Sequence, residues 1–223
     1  MSLLKRELRR LLPYGVGGIA LVLLLSVGAI PGLNFGASAM LAAFLIPGVL
    51  GVACVAPDTG SGATAFLRRQ PVRPWAVLGA KVCAAVLWLL PSVALLGAGQ
   101  ALAHPSYAGL FAGVMIVVFP IFAFGAGLLA SVVAFRTMPA ILLAPAIAIL
   151  AATVSVGFPA IFLGLMPPTP EFTSVVLTSL GLTFVGLAFV AFTRGEPHRP
   201  SSRPALLALG GLVPALVLGL TTT

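Results

Sequence analysis

Acidic side chains are nearly missing from this chain: Glu7, Asp58, Glu171 and Glu196 are the four in 223 residues. Lys and Arg number twelve, and charged residues together make up only 7%. A soluble domain of this length needs far more charge to cover its surface. Histidine and cysteine are equally scarce, at two each. Cys54 and Cys83 lie in or beside apolar runs, which speaks against a disulfide framework or a metal site and for small packing residues. The acids and the two histidines, His104 and His198, fall at the ends of apolar runs or between them. No pair of them has metal-ligating or acid–base spacing, and no Gly-x-Ser-x-Gly elbow or His-Glu-x-x-His motif occurs. An intramembrane enzyme or an ion-coupled carrier usually keeps an ionisable group at depth. Here only Gln100 and scattered Ser and Thr occupy the interior of the runs. A Gly-x-x-x-x-Gly-Lys-Ser/Thr loop is also missing, so the chain has no usual means of binding ATP itself.

What the chain does have is apolar length. Hydrophobic residues make up 60% and the mean hydropathy is +1.19, so lipid is the natural solvent for most side chains. A helix needs about 20 apolar residues to cross a core about 30 Å thick. Runs of that kind lie at 12–31, 37–56, 78–102, 109–135, 140–166 and 173–193, with a weaker one at 205–220. The expected fold is an all-α integral membrane protein, a six-span helical bundle with a short seventh apolar segment. Pro47, Pro91, Pro120 and Pro145 interrupt four of the runs and are expected to kink them, which membrane helices tolerate because neighbours re-satisfy the freed carbonyls.

Residues 1–11 read as an interfacial amphipathic helix. At a period of 3.6, Leu4, Leu8, Leu11 and Leu12 share one face and Lys5, Arg6, Arg9 and Arg10 the other, a pattern suited to a helix lying among anionic headgroups. The competing reading is the charged flank of a signal sequence, with Ala37-Ser38-Ala39 as a small-residue cleavage site. The domain layout is then 1–11 interfacial, 12–193 membrane-spanning with a polar connection at 57–76, and 194–223 a basic linker plus the weak seventh run. If the N-terminus is cytoplasmic and the spans alternate, all twelve cations fall on one side. Pro31–Gly36, His104–Tyr107 and Pro167–Phe172 carry no Lys or Arg. That is the positive-inside pattern of a multi-pass protein of the cell (inner) membrane, and it accounts for the basic charge without nucleic acid.

Two runs have irregular lengths. The fifth, Ala140 to Met166, exceeds what the membrane requires. Its helix is expected to stop near Gly157, with Phe158–Met166 forming an external or re-entrant element, unless it tilts as one long helix. The last run is too short to place either as a span or as an interfacial hairpin, so the side of the C-terminus stays open.

The stretch Pro57 to Lys81 is the main polar interruption. Asp58 opens it, Gly60 and Gly62 loosen it, Ala63–Gln70 can form about two helical turns, and Pro71 stops them. Phe66 and Leu67 would be the apolar side of that short helix, Arg68 and Arg69 its exposed side. It reads either as an ordinary basic loop or as a stiff lever able to pass a push into two spans.

This segment resembles the signature of type-2 ABC transporter permeases, the membrane subunits of ATP-driven exporters. That pattern places an acid, a second acid, Gly-Thr, an apolar pair, a Pro-Val-Ser-Arg-like turn and Gly-x-Lys before the third span. Asp58, Gly62-Ala63, Phe66-Leu67, Pro71-Val72-Arg73 and Gly79-Ala80-Lys81 are similar to it. Gly60 stands where the second acid would be, Ala63 replaces Thr, and Arg73 comes one residue early. The basic start, the six spans and the ending Phe192-Thr193-Arg194-Gly195-Glu196 are also similar to that family, so the likeness covers about residues 1–196. It implies a permease with no catalytic residue and no metal. ATP and Mg would be bound on a separate ABC ATPase subunit, with a second permease copy or paralogue completing the assembly. It also implies that Asp58, Gly62, Ala63, Phe66, Leu67, Arg68, Arg69, Pro71, Arg73 and Lys81 couple to the ATPase. The reading from a different class is a non-enzymatic membrane scaffold or assembly factor without an ATPase partner.

Overall fold

A computed structural model of the chain describes residues 3–26, 35–60, 73–103, 107–134, 137–157 and 170–194. Among these, every regular element is helical: α1 (Leu3–Ser26), α2 (Phe35–Gly60), α3 (Pro74–Ala103), α4 (Tyr107–Val133), α5 (Thr137–Ala152) and α6 (Pro170–Arg194). A π-helical turn, Thr153–Gly157, continues α5. This follows from the solvent: in hydrocarbon a helix satisfies its own backbone groups, whereas an open strand edge cannot. Among the described residues, five helices are long and apolar enough to cross a membrane, within Met40–Asp58, Pro74–Gly99, Met115–Val133, Thr137–Ser155 and Thr173–Thr193. The chain is therefore a multi-pass helical membrane protein.

The layers follow from which apolar surface is covered by protein and which is left for lipid. In α4, 83% of the membrane-length stretch is buried, against 28% in α3 and 22% in α5. Helix α4 is thus the central post, packed mainly between α2 and α6 with α5 beside them. Its closest approaches are made through glycine. A Cβ on Gly127 would collide with the carbonyl of Gly48, one on Gly51 would lie 2.5 Å from the Phe124 carbonyl oxygen, and one on Gly125 would collide with the backbone of Gly181. Backbones that approach this closely leave no room for even a methyl group, the usual basis of tight helix pairing in lipid. Beside the α4–α6 crossing, the rings of Phe122 and Phe184 lie with centroids 6.1 Å apart.

The N-terminal region differs from the sequence expectation. Residues 3–11 are not a separate helix: Leu3–Ser26 is one helix running through Pro13. Its inner face is Glu7, Leu11, Gly15, Gly18 and Val22, all buried at intervals of three or four residues, whereas Leu12 is 47% exposed. Packing holds the helix across the proline. Gly15 lies against the Trp88 ring of α3 and Gly18 against Ile46 of α2, and tertiary contacts of this kind outweigh one lost backbone hydrogen bond. The pairing of Arg10 with Asp58 and of Gly18 with Ile46 makes α1 antiparallel to α2. Glu7 with Lys81 and Gly15 with Trp88 make α1 parallel to α3.

The helices run on through Pro47, Pro91, Pro120 and Pro145. Described helical structure reaches Gly157. The expected element at Phe158–Met166, the weak run at 205–220 and the end of the first expected span, 27–31, lie outside the described residues.

The glycine seam can be tested by substitution. Gly127→Val should destabilise the bundle by about 3 kcal/mol or more, because both sides of the contact are backbone and cannot yield. Gly17→Ala should be neutral or slightly stabilising, since nothing lies within 4 Å of a Cβ there. Thermal unfolding in detergent of both variants against the parent chain checks the pair.

Candidate functional site: a buried ring of four charges

Only four acids occur in the chain, and two of them meet at one end of the bundle. Glu7 in the second turn of α1, Asp58 near the end of α2 and Lys81 in the second turn of α3 are all buried, at 1%, 7% and 1% exposure. Arg10, one turn beyond Glu7, completes the group.

The four side chains close a ring in which charge alternates. Lys81 Nζ lies 3.0 Å from Glu7 Oε2 and 2.6 Å from Asp58 Oδ2. Arg10 places one guanidinium nitrogen 2.6 Å from Asp58 Oδ1 and 3.6 Å from Glu7 Oε2. Each cation therefore sits between both carboxylates, and the ring sums to zero formal charge. From outside, Arg6 donates to Glu7 Oε1 at 3.0 Å with its side chain 55% exposed. Burial works against the charge of Arg10, but the hydrogen bond and field of Asp58, with Glu7 beyond, raise its pKa above the ordinary arginine value.

Two further contacts fasten the same corner. The Trp88 indole N–H donates to the Leu8 carbonyl at 3.2 Å, in the turn ahead of Pro13, where the proline weakens the helical ladder. The thiol of Cys54, one turn before Asp58, lies 3.8 Å from the Lys81 carbonyl oxygen. Helices α1, α2 and α3 are thus joined by polar bonds in a bundle otherwise held by apolar packing.

Of the residues expected to couple to a partner, Asp58 and Lys81 are brought together in the ring. Arg73 is exposed at the start of α3, where its carbonyl accepts from the Ala76 and Val77 amides. Gly62, Ala63, Phe66, Leu67, Arg68, Arg69 and Pro71 lie outside the described residues. The four cations expected to lie among headgroups divide. Lys5, Arg6 and Arg9 are exposed, and Arg10 is drawn into the ring. Sequence reasoning assigned no role to Glu7. The signal was available, because an acid between basic residues on the apolar side of an amphipathic helix needs a cation from elsewhere. Among the described residues no three His, Cys, Asp or Glu side chains gather as a metal site.

The ring's energetics give a clear asymmetry. Removing one member of a buried ion pair strands the other charge and costs about 3–5 kcal/mol, while neutralising both members costs much less. Lys81→Met should therefore destabilise strongly, and adding Glu7→Gln, which leaves Arg10 paired with Asp58, should restore part of the loss. In a Cys83→Ser background, buried Cys54 can report unfolding through its reaction with a thiol-specific dye. A Lys81→Met loss no smaller in the Lys81→Met, Glu7→Gln double variant would show that the charges are not coupled.

Comparison with known protein families, with characterised proteins and with solved structures finds no match for this chain.

Proposed function

We propose that this chain is the membrane-spanning permease subunit of an ATP-driven export system, worked by a separate ATPase that grips the connection between α2 and α3. The supporting observation is the ring. The connection leaves α2 just past Asp58 and enters α3 two turns before Lys81, and those two residues are bonded to each other and to α1. A force on residues 61–72 would therefore reach three helices together rather than bend one loop. Alternating charges in a low-dielectric corner resist being pulled apart, so the corner can move as one body.

In this reading the ring end of the bundle faces the cytoplasm. The exposed cations Lys5, Arg6, Arg9 and Arg73 lie at that end, in keeping with the positive-inside rule. Phe66 and Leu67 would seat in a groove of the ATPase, and Arg68 and Arg69 would meet an acidic rim. ATP and Mg stay on that partner, and a second permease copy or paralogue would complete the pathway.

Co-purification with an ATPase encoded beside this gene is the direct test. Phe66→Asp with Leu67→Asp is expected to abolish the complex. Asp58→Asn with Lys81→Met is expected to leave the complex assembled but to lower transport-coupled ATP hydrolysis about tenfold or more, the equivalent of roughly 1.4 kcal/mol of lost coupling. If no ATPase co-purifies and nucleotide changes nothing, the chain is a scaffold and the permease reading fails.

A further inference from the structure

Beyond the ring an apolar groove of about 360 Å³ lies between α1 and α2. Its walls are Pro13, Tyr14, Gly17 and Leu21 from α1 with Leu45 and Val49 from α2. Gly17 opens it, for a Cβ there would meet nothing within 4 Å. The cleft between α2, α4 and α5 is far smaller, about 70 Å³, and none of its lining residues is charged. The α1–α2 groove has no charged lining residue either, but its Pro13 end lies nearest the ring end of α1.

That end is basic. Arg6 precedes Pro13 by two helical turns and Gly17 by three, so it stands on the groove's own face of α1, with Arg9 beside it. Both are exposed. Arg6 gives one contact to Glu7 and is otherwise open, and Arg9 forms no ion pair among the described residues. Glu7 and Asp58, the acids at this end, are already engaged by Lys81 and Arg10. Tyr14, 39% exposed on the rim, is the kind of side chain that lies where hydrocarbon meets headgroup.

We propose that this groove holds one acyl chain of an anionic glycerophospholipid whose phosphate is bound by Arg6 and Arg9. The apolar walls select a chain, and the charge is selected by Arg9, which has no ion pair among the described residues, together with Arg6, whose one pair is 55% exposed on the arginine side. A zwitterionic lipid offers the same chain and loses the electrostatic part. The site depends on the membrane setting of the bundle and not on the permease reading, so either can fail without the other.

The purified full-length chain, titrated in detergent with phosphatidylglycerol or phosphatidylcholine and read by native mass spectrometry, tests this. The parent chain should retain one phosphatidylglycerol in preference to phosphatidylcholine, and Arg6→Gln with Arg9→Gln should cut that preference by about fivefold per cation removed. Gly17→Leu, which fills the groove from an open position, should lose both lipids while keeping the parent melting temperature. Equal retention of the two lipids by the parent, or parental binding by a folded Gly17→Leu, would overturn the proposal. If the variant does not fold, photolabelling of the parent with a diazirine-bearing phosphatidylglycerol decides. Adducts should concentrate on Tyr14–Leu21 and Leu45–Val49. Adducts spread over the outer faces of α3 and α5 would overturn the site.

Discussion

Three buried charges, Glu7, Asp58 and Lys81, closed into a ring by half-buried Arg10, are the constraint around which this bundle is arranged. Burying an ion costs several kcal/mol even after relaxation, and its partner repays that only when geometry is close and every charge is answered. The ring meets this condition because each cation touches both carboxylates, with Arg6 taking the remaining Glu7 oxygen. Such an arrangement tolerates little sliding. Shifting α1 by one turn, about 5.4 Å, would break contacts to α2 and α3 together. Apolar packing in lipid is a poor guide to register, because hydrocarbon outside the bundle competes with hydrocarbon inside it. The ring supplies that register at the corner where three helices meet.

The rest of the bundle is fixed by a different means. Between α2, α4 and α6 the backbones meet at Gly48, Gly51, Gly125, Gly127 and Gly181, and attraction there comes from dense contact rather than charge. The two devices lie at different levels of α2: the glycine seam meets α4 at Gly48 and Gly51, while Asp58, two turns beyond Gly51, meets Arg10 of α1 and Lys81 of α3. Helix α2 therefore belongs both to the tightly packed post and to the charged corner. A rearrangement of that corner would pass to the centre of the bundle through α2, which suits a force applied at the connection that follows it.

Much of the helical layout was legible in the sequence, because 20-residue apolar runs are hard to satisfy in any other way. The runs at 37–56, 78–102, 109–135 and 173–193 fall within α2, α3, α4 and α6, to within two residues at the C-terminal end of the third. What sequence could not supply was the partner of each face. A period of 3.6 put Leu12 with Leu4 and Leu8, but the surface α1 buries turns toward Glu7 and Gly15 because α2 and α3 lie there. Periodicity identifies a face and not what covers it. Glu7 shows the same limit: its neighbours in sequence are basic, yet the cation that buries with it, Lys81, comes from 74 residues away. Asp58 and Lys81 were singled out by resemblance to a motif, and nothing in that motif said that they touch.

The cations at the ring end divide into two populations with different work. Arg10 and Lys81 are consumed by Glu7 and Asp58 and contribute almost no field outside the protein. Lys5, Arg6, Arg9 and Arg73 remain exposed. Counting charges alone treats the two sets alike, which is adequate for orientation because that rule counts Lys and Arg and not net charge. It is inadequate for recognition, where only a cation that still lacks a counter-charge can attract a phosphate or an acidic partner. Burying both nearby acids with two of the cations leaves Arg9 without an ion pair among the described residues and Arg6 with a single contact, to Glu7, on its exposed side chain. The same pairing that fixes three helices thus also determines which arginines are available to a ligand.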